Sequence, residues 1–325
     1  MKSNESLEVW NLEEDWNHSF ADLQSAYLLR WRYFYIVCLC CTLSMGIPGN
    51  IMVIYSIASF KYLQQLPHIL VVNLAIFDLG VMTMNIMSLL GCFFGGDFFT
   101  FLICEISGTI CMISCFGSLW SIMAISVNRY ICICHNALYK TIFNTKTTVL
   151  LALSVWVATV IMDIPNWPFV GLSKHGLVYF SLHCAFLYSN NWWYDFFFYT
   201  GFAFLFPVCI TAFCYRSIWK SANKMKNNFS EQRRKQQRQM TKSLMIIFCI
   251  FIITWSPLSI IIGTGGLFGD KVKIPFEVNL IAEIFAHGNS SINFLVYGFT
   301  HTKFRQAYLT ILSKFVPCIK KPSSE

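Results

Sequence analysis

Long, continuous apolar runs dominate the chain and are separated by short polar connections. Each run exceeds the roughly 20 residues that a helix needs to cross the hydrocarbon core of a membrane. Strands of a membrane β-barrel would instead alternate polar and apolar positions over about ten residues. The pattern therefore predicts an all-α membrane protein built as a seven-transmembrane helix bundle, with spans at residues 33–60, 68–93, 103–132, 147–170, 195–220, 243–266 and 276–299.

The predicted spans divide the chain into three regions. Residues 1–32 form a polar N-terminal tail, and residues 33–300 form the seven-transmembrane domain. Residues 301–325 are expected to form a short amphipathic cytoplasmic helix followed by a tail.

The composition agrees with this picture, because 56% of the residues are hydrophobic and only 12% are charged. A soluble globular domain carries about a quarter charged residues, so a soluble enzyme fold is excluded. Disorder is excluded too, since disordered chains combine low hydrophobicity with high net charge.

The formal net charge of +8 is distributed unevenly between the two sides of the predicted bundle. With the N-terminus outside, the cytoplasmic side holds 18 of the 24 Lys and Arg residues, and Glu231 and Glu325 are its only acids. This bias follows the positive-inside rule. It predicts a multi-pass plasma-membrane protein with an extracellular N-terminus, and nucleic acid is not expected as a partner.

Most of the 14 cysteines lie inside the predicted spans, where cysteine is an ordinary small apolar residue. The clustered cysteines lack the paired spacing of zinc ligands, so no zinc site is expected. Cys104 and Cys184 both lie on the oxidising side of the membrane. A disulfide between them would tie the loop before the fifth span across the helix ends.

Three positions are candidates for covalent modification. Asn4 and Asn17 lie in glycosylation sequons of the predicted outer tail. Cys318 follows the last apolar residues of the cytoplasmic tail and is a candidate for palmitoylation. A free cytosolic thiol is the alternative for Cys318.

Asp78 lies in the middle of the second span with no basic residue near it in sequence. Ionisable groups inside a membrane are costly, so each is a functional candidate. Polar residues at comparable depth in other spans could complete a cage that binds a cation: Asn50, Ser118, Asn289, Ser290 and Asn293. The alternative is a buried polar network that only fixes helix packing.

Arg129 ends the third span within the run Asn128-Arg129-Tyr130. An arginine at that depth needs hydrogen-bond acceptors from neighbouring helices, and Tyr215 and Tyr297 are its expected neighbours. Pro257, beside Trp255 in the sixth span, offers a hinge.

These residues resemble the rhodopsin-like (class A) G protein-coupled receptors over essentially the whole chain. The matching landmarks occur in order, at least one in each span: Gly49-Asn50, Leu74-Ala75 with Asp78, Cys104 with Cys184, Asn128-Arg129-Tyr130, Trp156, Pro207 with Tyr215, Trp255-Ser256-Pro257, and Asn293 to Tyr297. The resemblance implies an allosteric sodium ion, without any other cofactor, held by Asp78, Ser118, Asn289 and Asn293. It also implies that Arg129, Tyr215 and Tyr297 rearrange to open a cleft for a heterotrimeric G protein.

Within that family, the chain is most similar to the melatonin receptors. The matching stretches are Cys104 to Gly108, Asn128 to His135, Pro165-Asn166, Phe213-Cys214-Tyr215 with Ile218-Trp219, and Asn289-Ser290 through Phe304-Arg305. The resemblance implies that Asn166 hydrogen-bonds the ligand and that Phe186 stacks on its indole ring. It also implies inhibitory coupling.

Several positions depart from the melatonin receptors. Tyr188 replaces a loop glutamine, Ala203 a histidine of the fifth span, and Glu283 a tyrosine of the seventh span. A buried carboxylate such as that of Glu283 calls for a cation or strong hydrogen-bond donors. Cys111 stands where receptors for biogenic amines carry an aspartate, which argues against the usual salt bridge to an amine. Two further positions depart from the wider rhodopsin-like family: Phe294 replaces the proline usual after Asn293, and Asn128 replaces the usual acid before Arg129. The melatonin receptors also lack that proline and that acid.

The expected ligand pocket is aromatic with few polar groups: Cys111, Cys115, Asn166, Phe186, Tyr188, Trp255, Glu283 and His287. Glu283 and His287 are four residues apart on one helical face and could anchor a ligand or only pair with each other. The leading hypothesis is a receptor for a melatonin-like indole or other small aromatic. The alternative is a receptor for a cationic amine, lipid or peptide anchored by Glu283.

Other functions have less support from the sequence. Residues 276–300 contain no lysine that could form a retinal Schiff base. A transporter would show interrupted helices and internal repeats, and an enzyme would need a nucleophile, phosphate-binding or metal constellation. Besides the G protein, arrestin, a receptor kinase and membrane lipid are expected partners.

Overall fold

The computed structural model describes residues 26–170, 174–178, 181–187, 195–221, 231–268 and 274–315. Within this part of the chain, six helices are long and apolar enough to cross a membrane. The first four spans are Ala26–Ser59, Leu66–Phe94, Phe101–Cys134 and Thr145–Asp163. The fifth joins a π-helix, Asp195–Leu205, to the α-helix Phe206–Lys220, and the sixth is Glu231–Phe268.

The seventh span is interrupted, whereas the sequence predicted a continuous run. It consists of the helices Phe276–Gly288 and Asn293–Thr300, joined by a 3-10 turn at Asn289–Ser291. Ser291 donates from Oγ to the carbonyl of Gly288 at 2.6 Å. Polar side chains of this kind compete with the helical hydrogen bonds, so the turn coincides with the most polar part of the span.

A further helix, Thr302–Phe315, follows the seventh span and confirms the predicted amphipathic helix. Phe304, Ala307 and Tyr308 are buried on one face, while Arg305 and Gln306 are exposed on the other. The seven-helix architecture confirms the predicted fold class.

The second and third spans form the centre of the bundle. Buried residues make up 61% and 67% of their apolar windows, against 22–33% for the other four uninterrupted spans. A Cβ added to Gly117 would lie 2.2 Å from the ring of Phe77, and that ring stacks on Trp156 with the centroids 4.1 Å apart. Small residues let membrane helices approach closely in this way.

Asn73 and Trp156 join the three helices at this contact by hydrogen bonds. The indole Nε1 of Trp156 donates to Oδ1 of Asn73 at 2.8 Å, and Nδ2 of Asn73 donates to Oγ of Ser121 at 3.0 Å. The second, third and fourth spans are thus fixed relative to one another.

Pro207 shapes the fifth span. A proline has no N–H and cannot bond the carbonyl one turn earlier, which here belongs to Ala203. That carbonyl instead accepts a hydrogen bond from the indole Nε1 of Trp120 at 3.3 Å. The contact links the fifth span to the third.

A β-hairpin crosses one end of the bundle, which we call the disulfide end. Strands β1 (Lys174–Val178) and β2 (His183–Leu187) pair antiparallel. The disulfide between Cys104 and Cys184 joins β2 to the third span and confirms the predicted pairing. We call the opposite end, where Arg129 lies, the arginine end; it carries a short helix that the sequence did not predict, Asn136–Ile142.

Four predicted positions, Asn4, Asn17, Tyr188 and Cys318, lie outside the described residues. Phe186 belongs to β2, but its side chain lies outside the description.

Candidate functional site

Asp78 lies at the centre of a polar cluster between the second, third and seventh spans. Its side chain is fully buried. Oδ1 accepts a hydrogen bond from Oγ of Ser118 at 2.9 Å, and Oδ2 accepts one from Nδ2 of Asn293 at 2.7 Å. These two members of the predicted cage therefore contact the carboxylate directly.

The remaining members of the predicted cage differ in their contacts. Asn50 donates to the backbone carbonyl of Ser290 at 3.0 Å and to that of Gly46, so it fixes the interrupted part of the seventh span rather than the carboxylate. Asn289 is 1% exposed, and neither atom of its amide has a hydrogen-bond partner among the described residues. Buried polar atoms are normally satisfied, so the amide of Asn289 can take a further hydrogen-bond or ligand partner.

Four of the predicted ligand-binding residues lie together near the disulfide end. Sγ of Cys111, Sγ of Cys115 and a ring nitrogen of His287 lie within 4.8 Å of one another, and all three residues are buried. The ring of His287 meets Trp255 edge-on, with the centroids 6.0 Å apart. The third, sixth and seventh spans thus meet at this point.

Glu283 is paired with two histidines. Its Oε1 lies 2.8 Å from Nδ1 of His183 in β2 and 3.6 Å from Nδ1 of His287. All three side chains are almost fully buried. The sequence reasoning did not identify His183 as a partner of Glu283, because nothing in the loop sequence placed its side chain against the seventh span.

Glu283 acts on the pKa of His183 against the effect of burial. Burial alone would lower this pKa, but the charge of Glu283 and hydrogen bonds with Cys111 and Glu283 outweigh burial and raise the pKa to about 9. His183 is therefore protonated at neutral pH, and the carboxylate already has a cationic partner inside the protein.

Asn166 has both ends of its amide engaged. Its Nδ2 donates to Oδ1 of Asp163 at 3.0 Å, and its Oδ1 accepts from the hydroxyl of Tyr199 at 2.5 Å. The residue is fully buried. Each end of the amide keeps one further hydrogen-bonding position, since Nδ2 carries two hydrogens and Oδ1 two lone pairs.

Asp163 extends this network to the hairpin. Oδ2 accepts from the indole of Trp167 at 3.0 Å, and Oδ1 lies 3.1 Å from Nε2 of His175 in β1. Nδ1 of His175 lies 3.0 Å from Oε2 of Glu105 in the third span. The sequence reasoning missed the contacts of His175 with Asp163 and Glu105. The signal that could have found them is the presence of these two acids near the disulfide end of the third and fourth spans.

A cavity of about 340 Å³ lies between the fifth and sixth spans. Its lining includes Phe196, Thr200, Ser256, Ser259 and Gly263. This volume is in the range of small-molecule sites, but its lining includes none of the predicted pocket residues whose side chains the structure describes.

Arg129 is fully buried at the arginine end and bonds to the sixth span. Nη1 donates to Oε1 of Gln237 at 2.7 Å and contacts Sδ of Met240 at 3.7 Å. Nη2 donates to Oδ1 of Asn128 at 2.7 Å. An amide at position 128 thus accepts the hydrogen bond that an acid there would take.

Tyr215 and Tyr297, the expected neighbours of Arg129, are not hydrogen-bonded to it. The hydroxyls of both tyrosines are buried without a hydrogen-bond partner among the described residues. Nε of Arg129 is likewise buried without a partner there, so the guanidinium keeps donors that a rearrangement could use. Trp255, next to Pro257, stacks on Phe251 with the centroids 5.4 Å apart.

The sequence profile described as 7 transmembrane receptor (rhodopsin family) matches residues 49–297. Melatonin receptor type 1C of Gallus gallus is 30% identical over 278 residues, which cover 83% of this chain and 79% of that protein. Type 1A-A of Danio rerio is also 30% identical over 278 residues, with 83% and 78% covered. For type 1C of Xenopus laevis the identity is 29% over 83% of this chain, and the chain spans 65% of that protein's length.

A solved structure, the crystal structure of squid rhodopsin, has a similar fold. The TM-score is 0.74 at 22% identity, and the match covers 90% of this chain and 88% of that chain. The profile match over most of the chain shows that this protein belongs to the rhodopsin family of seven-transmembrane receptors, a family of receptors rather than enzymes.

Proposed function

We propose that the chain is a receptor that couples an extracellular small, neutral, aromatic ligand to a heterotrimeric G protein, with inhibitory coupling. Similarity to receptors named for melatonin supports an indole as the ligand. The disulfide end, with the N-terminus, faces the outside. The arginine end faces the cytoplasm, where the exposed Lys235, Arg238 and Lys242 of the sixth span flank the cleft for the G protein.

The ion pair between Glu283 and His183 carries the proposal of a neutral ligand. A cationic amine would need a carboxylate that lacks a partner, but Oε1 of Glu283 lies 2.8 Å from a protonated histidine. An amine that displaced His183 from Glu283 would leave the buried charge of His183 without its partner, which costs about 3–5 kcal/mol. An indole meets no such cost, because it needs only apolar contacts and a hydrogen bond.

Asn166 is the proposed polar anchor of the ligand, and Phe186 its stacking partner. The hydroxyl of Tyr199 bonds to the amide oxygen of Asn166, and the amide keeps a second lone pair and a second hydrogen for the ligand. A hydrogen bond of this kind contributes about 0.5–1.5 kcal/mol of net affinity. Selectivity then depends on the fit of the ligand against Cys111, Cys115 and Trp255.

The proposed resting state holds a sodium ion at Asp78, Ser118, Asn289 and Asn293. A carboxylate, a hydroxyl and amides supply oxygen ligands, and the unpaired amide of Asn289 supports this assignment. In the same state, the bond between Arg129 and Gln237 keeps the third and sixth spans together. Ligand binding then favours a state in which the sixth span moves about Pro257.

The remaining partners and modifications are proposed from the family and the sequence. Arrestin and a receptor kinase would bind the arginine end, and membrane lipid would surround the bundle. Glycosylation at Asn4 and Asn17 and palmitoylation at Cys318 agree with this orientation.

A G-protein activation assay tests the proposed ligand class. The full-length receptor and Glu283→Gln are exposed to melatonin, related indoles and cationic amines, and surface expression is measured in parallel. We expect an indole to activate the wild type and Glu283→Gln to retain a response to it within about tenfold. Tenfold corresponds to about 1.4 kcal/mol, which is less than the loss expected when a carboxylate that pairs with a charged ligand is removed.

Two outcomes would contradict the proposal of a neutral ligand. One is a response to amines alone that Glu283→Gln abolishes, since Glu283 would then anchor a cation. The other is uptake of a solute by cells that express the chain without any G-protein activation, which would indicate a transporter.

A further inference from the structure

We propose that Cys111, Cys115 and His287 form a binding site for a zinc ion between the third and seventh spans. The two thiols lie four residues apart on one face of the third span, and the imidazole faces them from the seventh. One ligand atom from each residue lies within 4.8 Å of the others. Two sulfurs and one nitrogen are the ligand types that zinc prefers.

The distances permit coordination without movement of the helices. In a tetrahedral zinc site with bonds of about 2.3 Å to sulfur, neighbouring ligand atoms are about 3.7 Å apart. Atoms within 4.8 Å therefore need to approach by at most about 1 Å, which side-chain rotation supplies. Three protein ligands leave a fourth position for water or another ligand.

The charge of the complex suits its buried location. Each thiol gives up its proton on binding, so the metal ion and two thiolates sum to zero charge and two protons pass to solvent. A neutral complex avoids the cost of burying a net charge in the bundle. Mg²⁺ and Ca²⁺ would not bind in this way, because they require several oxygen ligands.

Glu283 can orient the imidazole ring of His287. Its Oε1 lies 3.6 Å from Nδ1 of His287, so Nε2 is the nitrogen available to the metal. Histidines that bind metals usually donate the other ring N–H to a carboxylate, which fixes the ring orientation. Oε1 also lies 2.8 Å from Nδ1 of His183, and its second lone pair can accept the bond from His287.

Metal binding at this site does not depend on the proposed organic ligand. It would join the third span to the seventh beside Trp255, whose ring is in edge contact with His287. Because only the folded bundle assembles the three ligands, zinc should also raise the temperature of unfolding.

The test uses the purified full-length receptor in lipid nanodiscs, with the disulfide between Cys104 and Cys184 intact, kept free of oxygen and stripped of metal with a chelator. Co²⁺ serves as a spectroscopic probe that zinc displaces. We expect one Co²⁺ per receptor with a thiolate-to-metal charge-transfer band, reversed by Zn²⁺ but not by Mg²⁺ or Ca²⁺. Proton release of two per metal, measured with an indicator dye, counts the thiols.

Matched variants identify the ligands. Cys111→Ser, Cys115→Ser and His287→Asn should each lose the charge-transfer band or weaken binding beyond measurement, and Glu283→Gln should weaken binding about 10 to 100-fold. Cys214→Ser removes another buried free cysteine and should leave binding unchanged. Unfolding temperature without metal confirms that each variant is folded.

The proposal is overturned if the folded wild type binds no Co²⁺ or Zn²⁺ at about 100 μM, or if folded Cys115→Ser binds as tightly as the wild type. Either result leaves the proposed indole response untouched, because that response is measured without added metal. Loss of the indole response with intact metal binding would contradict the proposed function alone.

Discussion

Position 49 in the first span has no room for a side chain, because the ring of Phe294 packs against it. A Cβ added at Gly49 would lie 2.2 Å from Cδ1 of Phe294, and real contacts of this kind are never so short. Phe294 stands where receptors of this family usually carry a proline. The absence of a side chain at position 49 therefore makes room for the phenylalanine beside the interrupted seventh span.

Substitution Gly49→Ala should destabilise the receptor by about 1–3 kcal/mol, because an added methyl group overpacks this contact. The unfolding temperature in detergent measures the effect. Gly201→Ala is the matched control, since its Cβ would be 3.8 Å from the nearest atom. The double variant Gly49→Ala with Phe294→Leu should lose less stability than the two single variants lose in sum. A loss in the double variant equal to that sum would contradict the packing explanation.

Individual site residues were predictable where a family landmark specified them. Asp78 with Ser118 and Asn293 is an example, because the landmarks fix which helical faces meet. His183 was not predictable, since it lies in a loop whose path depends on the disulfide and the hairpin. The partner of Arg129 was also missed, because Gln237 is 108 residues away in sequence and the contact depends on how the sixth span is rotated.

At the scale of elements, the apolar spans were predictable and their irregularities were not. The third span was predicted at 103–132 and observed at Phe101–Cys134. The agreement is close because the thickness of the bilayer sets the length of the apolar run from which the span is predicted. The sixth helix begins earlier than its apolar run, at Glu231, because hydropathy marks the membrane and not the helix. The turn at Asn289–Ser291 depends on local competition for hydrogen bonds, which hydropathy does not report.

The β-hairpin is attached to the third and fourth spans through His175. The pKa of His175 is subject to burial, which lowers it, and to Asp163 and Glu105, which together outweigh burial and raise it above the usual 6.5. These acids are the charged groups within bonding distance among the described residues. Since folding raises this pKa, folding favours the protonated histidine.

We therefore expect the free energy of unfolding to fall as pH rises. The contribution of His175 is complete below the unfolded-state pKa of about 6.5 and is lost as pH rises through the higher folded-state pKa. Unfolding temperatures of the wild type and His175→Gln, measured across this range, test the sign. The difference between the two proteins should shrink with rising pH, and a difference that grows would contradict the assignment.

The hydrogen bond from Arg129 to Gln237 joins the third and sixth spans at the arginine end and links a charged group to a neutral one. Such bonds contribute about 1.5–3 kcal/mol. Gln237→Ala should therefore raise ligand-independent G-protein activation at least about tenfold, because it removes a contact of the closed state. Gln239→Ala is the matched control, since Oε1 of Gln239 accepts from Thr302 and not from Arg129. Equal basal activity in both variants would show that the bond does not restrain the sixth span.

At the scale of the whole molecule, one helix connects the two functional ends. The sixth span carries Trp255, close to the pocket through His287, and Gln237, bonded to Arg129. The two positions are about 27 Å apart along a continuous helix. A helix that contacts both sites and has two discrete arrangements is the physical requirement for coupling between them.

Coupling through this helix must be reciprocal, because it is a property of the binding equilibrium. If Gln237→Ala weakens the closed state, the apparent affinity for an agonist should rise by the same factor as the basal activity, until most of the receptor is open. Radioligand competition with the compound that activates the wild type, without G protein present, measures that affinity. A rise in basal activity with unchanged agonist affinity would mean that the pocket does not sense the position of the sixth span. The sixth span would then open the cytoplasmic cleft without transmitting the presence of ligand, and another element, such as the interrupted seventh span, would have to carry the coupling.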